Sequence, residues 1–218
     1  MPAARPSKAE LARVDPLPRS FYSQPGLTVA RQLLGARLLR REHNGQHTSG
    51  LITETEAYIG QEDLACHARH GKTRRNEVMW GQPGYSYVYF TYGMHWLLNA
   101  VAEPEGFPAA VLIRAVEPEA GLRRMRRRRG SRPDNILADG PAKLCQAFAL
   151  DGAHNQLDLC DPASMLTIVP GRGVPDEAVT AGPRVGLYSV PEPWVSKPWR
   201  LLVRSDWFSE LAMSEGAA

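Results

Sequence analysis

The stretch that decides the fold is Leu51-Ile-Thr-Glu-Thr-Glu-Ala-Tyr58, which is followed by Cys66-His67 and the aromatic run Tyr85-Ser-Tyr-Val-Tyr-Phe-Thr-Tyr-Gly-Met94. Residues 51–58 are typical of a β-strand, in which successive side chains point to opposite faces. Glu54, Glu56 and Tyr58 are therefore predicted to share one face, together with Ile52. Position alone favours a solvated outer face, because burying ionised carboxylates without partners is costly. The alternative is a catalytic pair of acids.

The composition indicates one globular domain. With 218 residues, 43% of them hydrophobic, the chain can bury a single sizeable core. It contains no apolar run of about 18 residues and no secretory leader, so we expect a cytoplasmic protein without a membrane segment. Cys66, Cys145 and Cys160 are widely spaced, which favours free thiols over disulfides or a metal site. We predict a lead-in at 1–20, a domain at 21–210 and a tail at 211–218, the termini being flexible.

Hydrophobic periodicity and turn residues predict mixed secondary structure with a β-hairpin at its centre. The turn Tyr92-Gly93-Met94 joins strands at 84–91 and 95–102, because Gly93 can take a positive φ angle, and it leaves Tyr92 at the tip. A long loop at 60–81 carries several histidines and cations and is expected to be functional. The other predicted elements are a helix over 29–34 capped by Thr28, strands at 36–41, 108–116, 165–169, 184–190 and 199–203, and helices starting at Pro118 and Pro141.

Positive charge is concentrated in one segment. The net charge is only +3, but six arginines lie within Arg123–Arg129. Such a block attracts polyanions, although a solvated helix face is the simpler interpretation. A second anion site is possible where Pro141 starts a helix with Lys143 close behind, since helix N-termini bind anions. An ordinary surface lysine is the alternative there.

Carboxylates, stacking rings and basic segments together favour nucleic acid as the partner. An enzyme that acts on a base within a duplex must extrude the nucleotide, hold the base between flat side chains and fill the gap. Glu56, Tyr58, His67, Tyr89 and Tyr92 could supply these parts.

These residues occur in motifs that resemble the alkyladenine (3-methyladenine) DNA glycosylase family, the monofunctional mammalian and bacterial type. The similarity runs from about Phe21 to Val203. The matching segments are Glu54–Tyr58, Asp63–His67, Arg75-Asn76, Tyr87–Met94 with Asn99, Leu112–Pro118 and Gly140–Gln146. The resemblance implies an α+β fold: a single domain with a curved, largely antiparallel β-sheet, surrounding helices and a protruding hairpin that enters DNA.

The resemblance also implies a role for each matching residue. Glu56 would be the base that activates water, with Glu54 as its support. The remaining assignments are Arg114 to help place the water, Tyr58, His67 and Tyr89 to sandwich the flipped base, Asn99 to discriminate at the pocket edge, Tyr92 and Met94 to insert into the duplex, and Lys143 and Arg75 to contact phosphate. Asn99, Met94 and Arg114 also have ordinary structural interpretations, as a turn cap, a core filler and a salt-bridge partner.

The implied reaction is removal of an alkylated or deaminated purine from double-stranded DNA, by a monomer without metal or other cofactor. An alkylated purine is already a cationic leaving group, so one carboxylate suffices, whereas neutral hypoxanthine needs a proton from water or an unidentified group. Two alternatives stay open: a damaged-DNA or RNA binding protein without turnover, and a sugar hydrolase that uses Glu54 and Glu56 as a pair. Arg74 departs from the family, which usually has proline there.

Overall fold

The computed structural model describes residues 14–42, 44–204 and 207. This part of the chain forms an antiparallel open sheet of eight strands with a few helices on it, which confirms the predicted α+β class. The strands are β1 (Arg37–Arg41), β2 (His47–Ile59), β3 (Ser86–Thr91), β4 (His95–Val101), β5 (Ala109–Ala120), β6 (Leu166–Val169), β7 (Val179–Gly182) and β8 (Arg200–Val203). The α-helices are α1 (Arg19–Tyr22), α2 (Gly26–Gln32), α3 (Leu122–Arg129) and α4 (Pro141–Phe148).

The central strand is β2, which pairs along one edge with β5 and along the other with β1 and then β8. The path through the sheet is β3-β4-β5-β2-β1-β6, with β7 attached through β8. The main hydrophobic core includes side chains from α2 and α4 and one side of this sheet. A smaller cluster packs the loop that precedes β3, through residues such as Cys66 and Met79, against strand residues such as Tyr87. Tyr58 and Tyr89, two of the predicted site residues, pack against this second cluster.

A β-bulge in β2 separates core residues from site residues. Ile52 pairs with Val116 and Glu54 with the adjacent Ala115, so Thr53 is the extra residue. Ile52 consequently packs in the main core with Ala57, while Glu56 faces the other side. The prediction that Ile52 shares a face with the acids is therefore wrong, because strict alternation fails across a bulge.

The hairpin is present as predicted. Strands β3 and β4 pair from Ser86 with Ala100 to Thr91 with His95. The Met94 N–H donates to the Thr91 carbonyl over 3.1 Å, and the two central residues of this β-turn, Tyr92 and Gly93, have positive φ angles of 51° and 67°, as a type I′ turn requires. Tyr92 is 81% exposed at the tip.

Three element predictions need correction, and one strand was not predicted. Thr28 lies inside α2, which begins at Gly26 after Pro25. Pro118 remains in β5, where it pairs with Gly50 at a register shift, a place where a strand tolerates proline; α3 begins only after Gly121, whose φ is +81°. Residues 184–190 form a turn-rich loop, and the β7 strand was not predicted.

The start of the domain is packed before residue 21, since the Leu17 N–H donates to the Ile168 carbonyl over 2.8 Å. Residues 1–13 of the predicted lead-in and the predicted tail at 211–218 lie outside the described residues. Within the described chain, no helix has the length and apolar character needed to cross a membrane.

Candidate active site

A cavity of about 350 Å³ opens between the hairpin, the 60–81 loop, the start of α4 and residues 185–187. We call it the base pocket. It brings together seven of the ten predicted site residues: Glu56, Tyr58, His67, Tyr89, Tyr92, Asn99 and Arg114. Met94, Arg75 and Lys143 do not line it, although Pro141 and Ala142 do. Residues from six separate segments therefore converge on one concave site.

Glu56 is fully buried in the wall of the base pocket. Its Oε1 accepts the main-chain N–H of Val185 over 2.7 Å and faces Arg114 Nη1 at 3.2 Å. Its Oε2 accepts the Tyr58 hydroxyl over 2.8 Å. The solvated-face interpretation is wrong, because both acids are buried, and the partners supplied here offset the cost of burial.

Glu54 has a different environment from Glu56. Its Oε1 accepts Arg114 Nε over 2.7 Å and is also bonded to Arg200. Burial lowers the pKa of Arg114, but the carboxylates of Glu56 and Glu54 raise it by more. The net result is a pKa above the usual value for arginine. Arg114 is therefore a permanent cation shared by two acids. Glu54 is held by two guanidinium groups, and its support of Glu56 stays a prediction.

Aromatic rings form the walls of the base pocket. The rings of His67 and Tyr89 meet edge to face, with centroids 4.6 Å apart, and His67 Nδ1 is 2.8 Å from the Tyr87 hydroxyl. The pKa of Tyr58 is raised well above 10 by burial and by the adjacent Glu56, and burial also raises the pKa of Tyr89. Both phenols therefore stay protonated. Asn99 is buried opposite Tyr87 and donates to its carbonyl over 2.9 Å.

His67 stands at the mouth of the pocket with an exposed edge. Burial of much of its ring, together with the charges of Arg75 and Arg69, lowers its pKa to about 4. The imidazole is accordingly neutral near pH 7. A neutral ring can contact a cationic alkylated purine without charge repulsion.

A buried ion pair that the sequence did not reveal lies behind the pocket. Arg184 forms two hydrogen bonds to Asp63, Nη1 to Oδ2 at 2.6 Å and Nη2 to Oδ1 at 2.8 Å, and both side chains are fully buried. Its guanidinium also stacks on the rings of Tyr58 and Trp199, at 4.7 and 5.0 Å from the centroids. Asp63 belongs to a motif that matches the family, but Arg184 is a single arginine in a turn-rich segment, which no local pattern identifies.

Three of the four residues predicted to contact DNA lie outside the pocket, the exception being Tyr92. Met94 is 66% exposed beside Tyr92 on the hairpin. Arg75 covers the Tyr89 ring at 5.1 Å from its centroid and donates to the Phe90 carbonyl over 3.2 Å. Lys143 Nζ is 2.9 Å from both carboxylate oxygens of Asp139. The phosphate contacts of Arg75 and Lys143 stay predictions.

The arginine block is largely bonded within the protein. Arg128 donates to both carboxylate oxygens of Glu42, at 2.9 and 3.0 Å, and Arg124 lies 3.8 Å from the same acid. Arg126 pairs with Asp134, and Arg129 donates to the Leu137 carbonyl. This part of α3 therefore ties the helix to its neighbours as well as carrying charge.

The chain is similar to proteins of one known family. The family model described as "Methylpurine-DNA glycosylase (MPG)" matches residues 20–206. A Myxococcus xanthus protein named "Putative 3-methyladenine DNA glycosylase" is 50% identical over 188 residues, 86% of this chain and 90% of that protein. Proteins with the same name from Salinibacter ruber and Methanocella arvoryzae are 42% and 46% identical, over 93% and 84% of this chain and 100% and 90% of theirs.

These matches place the chain among the DNA glycosylases, the hydrolases of DNA repair. Within that class, it belongs to the methylpurine-DNA glycosylase family, because the family model covers most of its length.

Proposed function

We propose that this protein flips an alkylated purine out of duplex DNA and hydrolyses its N-glycosidic bond with a water activated by Glu56, leaving an abasic site. The observation that carries the proposal is the fully buried Glu56 carboxylate, oriented by three donors in the wall of an aromatic pocket. The names of the relatives support a 3-methylated adenine as one substrate. The protein acts as a monomer and without lyase activity.

The hydrogen bonds of Glu56 suggest where the water binds. A carboxylate has about four acceptor positions. Val185 and Arg114 occupy Oε1, and the Tyr58 hydroxyl occupies one position on Oε2. The second position on Oε2 is the one at which a water can donate a proton to Glu56. Donors bonded to the other positions hold that oxygen in one orientation. This lowers the entropic cost of bringing the water into a reactive geometry.

The proposed reaction needs only one carboxylate, which acts as the base. The glycosidic C–N bond breaks, its electron pair goes to the cationic purine, and the base leaves neutral. Water forms the new C–O bond at the anomeric carbon and gives its proton to Glu56. The negative carboxylate also stabilises the oxocarbenium-like transition state.

The base pocket suits a flat cation. Tyr58, Tyr89 and His67 line it, and aromatic rings attract a positively charged ring through their electron-rich faces. We propose that Tyr92 fills the gap in the duplex, with Met94 as a wedge beside it, and that Arg75 and Lys143 contact phosphates. These roles extend the family resemblance to the residues found at those positions.

The test is release of free base from alkylated DNA by the Glu56→Gln variant. We expect the wild type to release 3-methyladenine and the variant to release none under single-turnover conditions, while both bind a duplex with an abasic-site analogue. Glu62→Gln, which alters an exposed acid outside the pocket, is the matched control and should keep wild-type activity. Excision by Glu56→Gln at the wild-type rate would refute the base assignment. A wild type that binds lesion DNA but releases nothing would favour a binding protein instead.

A further inference from the structure

The loop at 184–190 separates two depressions. Val185, Gly186 and Leu187 line the base pocket, whereas Ser189 and Val190 line a second groove of about 460 Å³. Tyr188 lies between the two sets and is 96% exposed. The two depressions share Ala65 and His67 in their walls, so they are contiguous. We call the second one the cationic groove, because Arg69, His70 and Arg75 line it.

The arginines of the cationic groove are bonded to neutral partners. Arg69 donates to the Leu64 carbonyl and to His70 Nε2, and Arg75 donates to the Phe90 carbonyl. Neither forms an ion pair with a carboxylate among the described residues. Lys143 differs, because Asp139 neutralises it. The two charges in the groove are therefore available to an anion, and a polyanion chain that leaves the base pocket would pass over them.

Exposed apolar side chains are concentrated on two segments that flank the base pocket, the hairpin and the 184–190 loop. The described part of the chain has eight large hydrophobic residues that are exposed. Five of them belong to the hairpin or to the 184–190 loop: Phe90, Tyr92, Met94, Val185 and Tyr188. Clustered exposed apolar groups mark interaction sites. Proteins that bind single strands combine an aromatic ring that stacks on a base with cations that contact the backbone, and the exposed Tyr188 ring and the groove arginines are groups of these two kinds.

We propose that Tyr188 and the cationic groove form a second contact with DNA, on the side of the base pocket opposite the hairpin. Tyr188 stacks on a base next to the flipped nucleotide, and Arg69 and Arg75 hold the phosphates of the same strand. This inference rests on the proposed function, since it requires that the flipped nucleotide occupy the base pocket. It adds a residue that the family resemblance did not supply.

The experiment measures binding of full-length variants to a duplex with an abasic-site analogue, by fluorescence anisotropy over a range of salt concentrations. We expect Tyr188→Ala to weaken binding about 5-fold or more, on the scale of one lost stacking contact, and Tyr188→Phe to keep wild-type affinity. Arg69→Gln should reduce the slope of log K against log salt by about 1, as for one lost phosphate contact. Leu27→Ala, which removes an exposed apolar residue on α2, is the control and should change neither quantity.

Tyr92→Ala in the same assay distinguishes failure of the second DNA contact from failure of the proposed function. If Tyr92→Ala weakens binding but Tyr188→Ala and Arg69→Gln do not, the second contact is refuted and the proposed function stands. If neither tyrosine matters, the placement of the duplex over the base pocket is itself wrong. Equal weakening by Tyr188→Ala and Tyr188→Phe would exclude stacking and so overturn the role of the ring.

Discussion

The main-chain N–H of Val185 donates to Oε1 of Glu56 over 2.7 Å, although the two residues are 129 positions apart. The neighbouring Arg184 fixes this contact, because its guanidinium bonds to Asp63 and to the Ala57 carbonyl of β2. The same group stacks on the Tyr58 ring, whose hydroxyl is another partner of Glu56. Two of the three donors to Glu56 thus depend on one buried arginine.

Arg184→Lys is predicted to slow base release by up to about 100-fold, because a small displacement of a catalytic group can cost that much and lysine cannot replace a bidentate guanidinium. Affinity for an abasic-site duplex should change far less, since Arg184 is buried away from DNA. Single-turnover rates and binding constants check this. Arg31→Lys, in an exposed pair with Asp176, is the control and should leave both unchanged. Equal losses of rate and affinity would contradict a positioning role.

Asp63→Asn tests how much the buried pair of Asp63 and Arg184 contributes to stability. It leaves the buried Arg184 charge without its partner, and we expect a loss of about 3–5 kcal/mol in the free energy of unfolding. Urea unfolding followed by tryptophan fluorescence measures it. A loss below about 1 kcal/mol would show that the pair is solvated or replaceable.

The contrast between Tyr92 and Arg184 shows what the sequence could reveal. The hairpin follows from local rules, a glycine turn between two aromatic strands, and Pro141 begins α4 as predicted. Arg184 meets Asp63 across 121 positions, a pairing that only the assembled sheet creates. The bulge at Thr53 has the same origin, since it depends on the register between β2 and β5. Family motifs recovered the pocket residues because each lies in a short segment that matches a motif, whereas the long-range support from Arg184 lies in no such segment.

Glu42→Gln is predicted to destabilise the fold by about 2 kcal/mol at pH 7, because it removes the carboxylate shared by Arg40, Arg124 and Arg128. Burial raises the pKa of Glu42, but hydrogen bonds from Thr48 and Arg128 and the charge of Arg40 outweigh it and lower the pKa. A carboxylate whose pKa is lowered by folding stabilises the fold at pH values above its pKa in the unfolded chain, which is near 4.5. This stabilisation is lost as the pH falls through the pKa of the carboxylate in the folded protein. The difference between wild type and variant should therefore shrink below about pH 4. Urea titrations at pH 7 and below pH 4 test this, with Glu62→Gln as control.

The low pKa of His67 predicts a second pH effect of the same sign. Between pH 6.5 and about 4 the unfolded chain binds a proton on this residue that the folded chain does not, so acidification through this window lowers stability. Solvent at the exposed edge of the ring makes the effect smaller than the full pKa shift implies. His67→Gln should lose less stability than the wild type from pH 7 to pH 5, and NMR of the ring should give a midpoint near 4. His70→Gln is the control, and a midpoint at 6.5 would contradict the lowered pKa of His67.

Tyr92→Asn is predicted to have opposite effects on stability and on DNA binding. Tyr92 holds a φ of 51°, a backbone conformation that is unfavourable for most side chains but that asparagine tolerates. The ring is 81% exposed and contributes little packing. We therefore expect a gain of up to about 1 kcal/mol in the free energy of unfolding, and a loss of about 1–3 kcal/mol in affinity for lesion DNA, equal to one stacking contact. Tyr92→Phe, with the ring kept, should bind as the wild type does. Thermal unfolding and anisotropy measure the two quantities on the same samples. If Tyr92→Asn stabilises the protein without weakening binding, the turn is strained for a reason other than insertion into DNA.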